Sequence, residues 1–174
     1  MPKTTSAKVL LSAQMIRRRV KEMASEISAD YKGKELMVVC VLKGSIFFLA
    51  DLVRGLDVNC TLDFISVSSY KGDKTTGSVK TLMGLRDDPK GKHVLLVEDI
   101  VDSGCTLSYL LKKLRASRPA SIKCCVLLDK PEARRVKVPV DYTGFKIKNR
   151  FVVGYGLDLN ESFRGLPYIG IIKK

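Results

Sequence analysis

Apolar residues recur at helical spacing at Ile16, Val20, Met23, Ala24 and Ile27, with Arg17, Arg18 and Arg19 interleaved and Ser12 placed to cap the start. The pattern predicts an amphipathic helix that Gly33 brings to an end. Residues 36–42 then form an unbroken run of seven apolar residues, as in a strand buried on both faces of a parallel sheet. Lys43-Gly44-Ser45 punctuates that run, 46–54 has a helical pattern, and 60–67 reads as a strand. Residues 68–78, SSYKGDKTTGS, are polar and without period, which predicts a long mobile loop. A second buried strand is expected at 94–97, followed by an acidic turn at Glu98-Asp99 and a helix carrying Leu107, Leu110, Leu111 and Leu114. A third buried strand is expected at 122–128, with shorter ones at 151–153 and 168–172. Strands alternating with helices predict an α/β fold with a mainly parallel sheet.

Composition narrows the class. A chain of 174 residues with 45% hydrophobic and 28% charged residues suits a single globular domain with a sizeable core. Its longest apolar run, seven residues, is far short of the roughly 18 a membrane span needs. The first residues, MPKTTS, lack a charged region followed by an apolar stretch, so no secretory signal is expected and a cytoplasmic location is. The net charge of +13 points to an anionic partner without choosing between nucleic acid, anionic lipid and a polyphosphorylated metabolite. Five cysteines without a Cys-x-x-Cys pair read as reduced thiols rather than a zinc site, and the four other than Cys105, in or beside strand patterns, are expected to be buried. The single histidine, His93, reads as structural and excludes a histidine-rich metal centre.

Ligands of open α/β sheets bind beyond the carboxyl ends of the strands, which directs attention to Glu98-Asp99-Ile100-Val101-Asp102-Ser103-Gly104-Cys105-Thr106. Small residues and a glycine just before a helix can wrap a phosphate in free amides. The stretch is neither GxxxxGK[ST] nor GxGxxG, which disfavours P-loop hydrolases and dinucleotide enzymes. Three carboxylates beside an anion site would repel it unless each has separate work. A ribose 5-phosphate unit resolves this, with phosphate on the amides and hydroxyls plus Mg²⁺ on the acids. The plainer alternative is that the acids face a helix N-terminus and its dipole.

The segment VLLVEDIVDSGCTL resembles the phosphoribosyl-diphosphate signature of the type I phosphoribosyltransferases. VLKGS at 41–45, LLDKPEAR at 127–134 and FVVGYGLDLNESFRGLP at 151–167 resemble the 6-oxopurine branch, the hypoxanthine-guanine phosphoribosyltransferases. The resemblance runs from the first helix to the last strand. It implies the type I phosphoribosyltransferase fold: a twisted, mainly parallel central sheet flanked by helices, forming a core over about 36–150. A small hood over the active site would come from about 1–12 and 151–174, and a flexible lid from about 68–80.

The implied reaction moves a phosphoribosyl group from 5-phosphoribosyl diphosphate to N9 of a 6-oxopurine and releases pyrophosphate. By the same resemblance, Glu98 and Asp99 would hold the ribose hydroxyls with Mg²⁺, while Ser103, Gly104, Cys105 and Thr106 would wrap the 5′-phosphate. Asp102 would be the general base, accepting a purine ring proton near N7. Leu42, Lys43 and Gly44 would form a pyrophosphate loop with a non-proline cis peptide after Leu42, and Arg164 would reach the pyrophosphate. Lys130 would donate to the purine O6, Phe151 would stack on the ring, and Val152 would offer backbone groups to its edge. Asp158 would hold a second Mg²⁺, while Ser69 and Tyr70 would head the lid. Relatives of this kind imply a homo-oligomer, dimer or tetramer.

Two other readings compete. RNA-binding attenuator regulators share the fold and suit the charge, but they have no use for Asp102, Lys130, Phe151 and Asp158, which disfavours nucleic acid as a partner. A phosphoribosyltransferase for another base is the second. Against adenine stands Lys130, whose ammonium donates but cannot accept, whereas adenine carries a donor amine at C6.

Overall fold

The computed structural model describes residues 7–69 and 79–172. The helix predicted from apolar spacing is α1, Ala13–Asp30, and the Ser12 side chain accepts the Met15 amide at 3.2 Å. Its stripe Ile16, Val20, Met23, Ala24 and Ile27 is buried, as the spacing requires. The apolar run forms β2, Leu36–Leu42, followed by α2, Ile46–Gly55. After β3, Cys60–Ser69, and β4, Val79–Met83, comes β5, His93–Val101. Then α3, Cys105–Ala116, leads to β6, Ser121–Asp129, and β7, Tyr142–Lys146.

These strands make a six-stranded sheet in the order β4-β3-β2-β5-β6-β7, parallel throughout except for β4. Side chains alternate across it. On β2, Leu36, Val38 and Cys40 pack beneath α1 and α2, whereas Met37, Val39 and Val41 face α3. A central strand buried on both faces explains why residues 36–42 show no polar alternation. Each such buried aliphatic side chain contributes about 1.5–3 kcal/mol.

A second sheet of three antiparallel strands, in the order β1-β9-β8, joins the ends of the chain: β1 is Lys8–Leu11, β8 is Val152–Val153 and β9 is Ile169–Ile171. Tyr155 ties this unit to α2 by donating its hydroxyl to Asp51 Oδ2 at 2.6 Å. On the other side, Arg19 donates to the Thr143 and Gly144 carbonyls at 2.8 and 3.2 Å, bringing α1 onto the edge strand β7. No helix among the described residues is long and apolar enough to cross a membrane.

Three expectations change. Glu98 and Asp99 are strand residues rather than a turn, because Ile100 and Val101 continue the ladder opposite Leu128 and Asp129. Ser68 and Ser69, expected to open the loop and lid, are strand residues that pair with Lys80 and Val79 on the sheet edge. A backbone ladder there needs no apolar side chains. The rest of that segment, Tyr70 included, lies outside the described residues. Finally, the four cysteines other than Cys105 were expected to be buried, but Cys60, at the first position of β3, is only partly covered.

Candidate active site

The strand ends of β2, β5 and β6 converge on the segment that follows β5. Gly104 closes the turn in the left-handed region, φ 85°, and a Cβ there would overlap the Val136 carbonyl oxygen. Only glycine meets both conditions. Helix α3 starts at Cys105, and the Ser108 amide donates to the Gly104 carbonyl at 2.9 Å. The amides of the first turn have no acceptor within the helix, so they face the space before it with the positive end of the helix dipole. That space is a cavity of ≈ 410 Å³ walled by Glu98, Asp102, Ser103, Cys105, Thr106 and Arg135 among others. The Ser103 carbonyl accepts from the Arg135 and Val136 amides at 2.9 and 3.0 Å, which stitches the segment after β6 to this loop.

A second cavity of ≈ 350 Å³ is lined by Leu42, Lys43, Gly44, Asp158 and Arg164 and shares Glu98, Asp99 and Thr106 with the first. The Leu42–Lys43 peptide is cis, as the resemblance implied. Backbones approach closely here: a Cβ on Gly44 would overlap the Asp99 carboxylate, and one on Gly156, φ 101°, would overlap the Gly44 carbonyl. Arg164 donates to the Gly156 carbonyl at 2.7 Å and lies 2.9 Å from Asp158 Oδ1 and 3.3 Å from Glu161 Oε1. Lys43 pairs with Glu161 at 3.2 Å. Glu161 is a site neighbour that the sequence did not single out. Its pairing joins positions 43, 161 and 164, a relation that only the folded chain creates.

Glu98 is buried and its Oε2 has no hydrogen-bond partner. Burial first, and then the neighbouring Asp99 charge, push the Glu98 carboxyl well above the ordinary carboxylate range; burial also raises Asp99. An orphaned buried carboxylate oxygen beside a second carboxylate fits a hard divalent cation such as Mg²⁺, which commonly takes one or two carboxylates and fills its shell from substrate and water. No cluster of three or more acid, histidine or cysteine ligands among the described residues would hold a metal alone. A carboxyl whose pKa is raised on folding lowers stability as pH climbs past its unfolded value near 4.3. Glu98→Gln should therefore raise the Tm of the ligand-free protein at pH 8 by about 2–4 °C per kcal/mol released, with little gain at pH 4. Thermal denaturation across pH checks this, and a variant that melts below its parent at pH 8 contradicts it.

Lys130, immediately after β6, is not the solvated lysine common at strand ends. Its side chain is 8% exposed, its Nζ lies 3.4 Å from Asp102 Oδ2, and its amide donates to the Val101 carbonyl at 3.0 Å. Asp102 is 55% exposed, so one side of its carboxylate stays open to a ligand. Phe151 is exposed, and Val152 is buried in β8 opposite Ile171. Ser69 ends β3, while Tyr70 lies outside the described residues. Of the expected site residues, the two cavities bring together Leu42, Lys43, Gly44, Glu98, Asp99, Asp102, Ser103, Gly104, Cys105, Thr106, Asp158 and Arg164, and Lys130 joins them through Asp102. Phe151 and Val152 line neither of them. His93 pairs with the Ser121 hydroxyl at 2.8 Å, where β5 and β6 start, remote from the acids.

Cys105 stands at the first turn of α3 in the cavity wall, partly exposed. Burial pushes the Cys40 and Cys124 thiols up to about 11 and 12 and raises those of Cys60 and Cys125, which keeps these four as poorly nucleophilic thiols. A small alkylating agent should modify Cys105 first and inactivate the protein by crowding the space before the helix. Peptide mapping reads this directly, with first labelling at another cysteine as the contrary result.

Residues 6–160 match the model of a family described as "Phosphoribosyl transferase domain". The chain is 46% identical to a hypoxanthine-guanine phosphoribosyltransferase of Lactococcus lactis over 95% of its own length and 91% of that protein's. It is 42% identical to a hypoxanthine-guanine-xanthine phosphoribosyltransferase of Tritrichomonas foetus, over 96% and 92%. The crystal structure of a hypoxanthine-guanine phosphoribosyltransferase of Bacillus anthracis superposes with a TM-score of 0.93 at 44% identity, covering 97% of this chain and 100% of that one.

Proposed function

This chain belongs to the phosphoribosyl transferase family and has its type I fold, and on that premise we propose that it is a purine-salvage enzyme of the hypoxanthine-guanine phosphoribosyltransferase type. It transfers the phosphoribosyl group of 5-phosphoribosyl diphosphate to N9 of hypoxanthine or guanine, giving IMP or GMP and pyrophosphate. The observation that carries the reading is 42% and 46% identity, over 96% and 95% of the chain, to enzymes named for this activity. These relatives give the RNA-binding alternative no support.

The division of labour follows the two cavities. Ser103, Gly104, Cys105 and Thr106 hold the 5′-phosphate with first-turn amides and hydroxyls. Leu42, Lys43, Gly44 and Arg164 hold the diphosphate in the adjoining cavity. Glu98 and Asp99, which border both cavities, hold the ribose hydroxyls between the phosphate and the leaving group. Glu98 and Asp99 would hold one Mg²⁺ and Asp158 a second, and these ions would supply positive charge against the departing pyrophosphate. Asp102 accepts the ring proton at N7 as N9 bonds to C1′. Lys130 donates to O6, Phe151 stacks on the base and Val152 meets its edge.

The chain acts as one domain, with its core over about 36–150 and its hood at about 1–12 and 151–174. It works in the cytoplasm as a homo-oligomer, dimer or tetramer; exposed Ile46, Phe47, Leu62, Leu82 and Met83 supply apolar surface for subunit contact. Incubating the purified protein with labelled 5-phosphoribosyl diphosphate, Mg²⁺ and each of hypoxanthine, guanine, xanthine and adenine tests the proposal. Nucleotide is expected from hypoxanthine and guanine and none from adenine. Product from adenine alone would assign the chain to another branch.

A further inference from the structure

The 5′-phosphate loop is crowded with acid. Glu98, Asp99 and Asp102 all line its cavity, and the amides of one helix turn carry only partial positive charge. A phosphate dianion therefore calls for a full positive charge on the same wall. Arg135 is the one cation among the lining residues of that cavity. Other basic side chains near the site are already matched by acids: Lys130 by Asp102, Arg134 by Asp129, Lys43 by Glu161, and Arg164 by Asp158 and Glu161. Arg135 has no ion pair among the described residues and is exposed, so its guanidinium is free for a ligand. Its backbone is not free, because the Arg135 and Val136 amides both donate to the Ser103 carbonyl and hold the residue against the loop.

We propose that Arg135 is a specificity-determining binding residue that recognises the 5′-phosphate of the phosphoribosyl substrate and of the nucleotide product, from the wall of the cavity before α3. Adjacent Arg134 plays a different part, since its guanidinium pairs with Asp129 and its methylenes pack close to Gly104, so it props the loop. The inference rests on the proposed phosphoribosyl transfer. It adds that discrimination between a phosphorylated sugar and a bare one depends on a side chain outside the loop. A guanidinium meets phosphate oxygens with two N–H donors, an arrangement an ammonium cannot copy.

The test compares the wild type with Arg135→Gln and Arg135→Lys, measuring dissociation constants for inosine 5′-monophosphate and for inosine by calorimetry, and KM values for both substrates. Arg135→Gln should weaken the monophosphate roughly tenfold, a modest value for a charged hydrogen bond at an exposed site, and inosine by less than about twofold. KM for 5-phosphoribosyl diphosphate should rise by a similar factor, well beyond any change in kcat or in KM for hypoxanthine, and Arg135→Lys should restore part of the loss. Equal weakening of monophosphate and nucleoside would mark a structural effect and overturn the proposal, as would unaltered monophosphate binding. A wild type that binds neither ligand and forms no nucleotide would instead overturn the functional reading beneath it.

Discussion

Asp102→Asn is expected to lower kcat by about 10²- to 10⁴-fold while leaving the KM for 5-phosphoribosyl diphosphate within about threefold, because the change removes a proton acceptor and preserves shape. The geometry favours asparagine as the probe. Lys130 is 8% exposed and 3.4 Å from Asp102 Oδ2, so a substitution that removed the oxygen would leave an ammonium buried without an acceptor. The asparagine carbonyl retains that contact. Asp102 also lies in the strand-to-helix turn, whose amides and hydroxyls are untouched by the change, so phosphate binding persists. Steady-state kinetics with both substrates varied reads the effect, and a variant with near-parental kcat would move the base elsewhere.

Lys130→Met should raise KM for hypoxanthine and shrink the preference for hypoxanthine over adenine by as much as about 10⁴-fold. A site built to donate to a substrate oxygen rejects an analogue that presents a donor, since two donors then face each other unpaired; methionine keeps the length and removes the donor. The fold should tolerate the change, because the partner left behind, Asp102, is 55% exposed and hydrated. The ratio of kcat/KM for the two bases is the quantity to measure. An unaltered ratio would place Lys130 outside the purine pocket.

The parts of this protein that were legible in its sequence are those governed by short-range pattern. Residues 36–42 announce a strand buried on both sides, and the α1 stripe announces its buried face, because burial acts on each side chain at a fixed period. The candidate phosphate loop was legible for a similar reason: small residues, a glycine and a helix start are contiguous. Less visible were β4 and β7, edge strands VKTLM and YTGFK in which polar residues and a glycine dilute the pattern. The strand placement of Glu98 and Asp99 was also hidden, since acidic residues read as a turn unless the β6 ladder beside them is known. Pairings such as Lys43 with Glu161 join distant parts of the chain and leave no local trace. Arg135 leaves no local trace either: what sets it apart is its place against Ser103, not its neighbours in sequence.

The most direct test of phosphoribosyl transfer is ³¹P NMR of the purified protein with equimolar 5-phosphoribosyl diphosphate and hypoxanthine in Mg²⁺. The diphosphate resonances of the substrate are expected to disappear as those of free pyrophosphate and of a nucleoside 5′-monophosphate grow in equal amounts, with no change when hypoxanthine is omitted. Pyrophosphate released at the same rate without the purine, or no release with it, would contradict phosphoribosyl transfer to a 6-oxopurine.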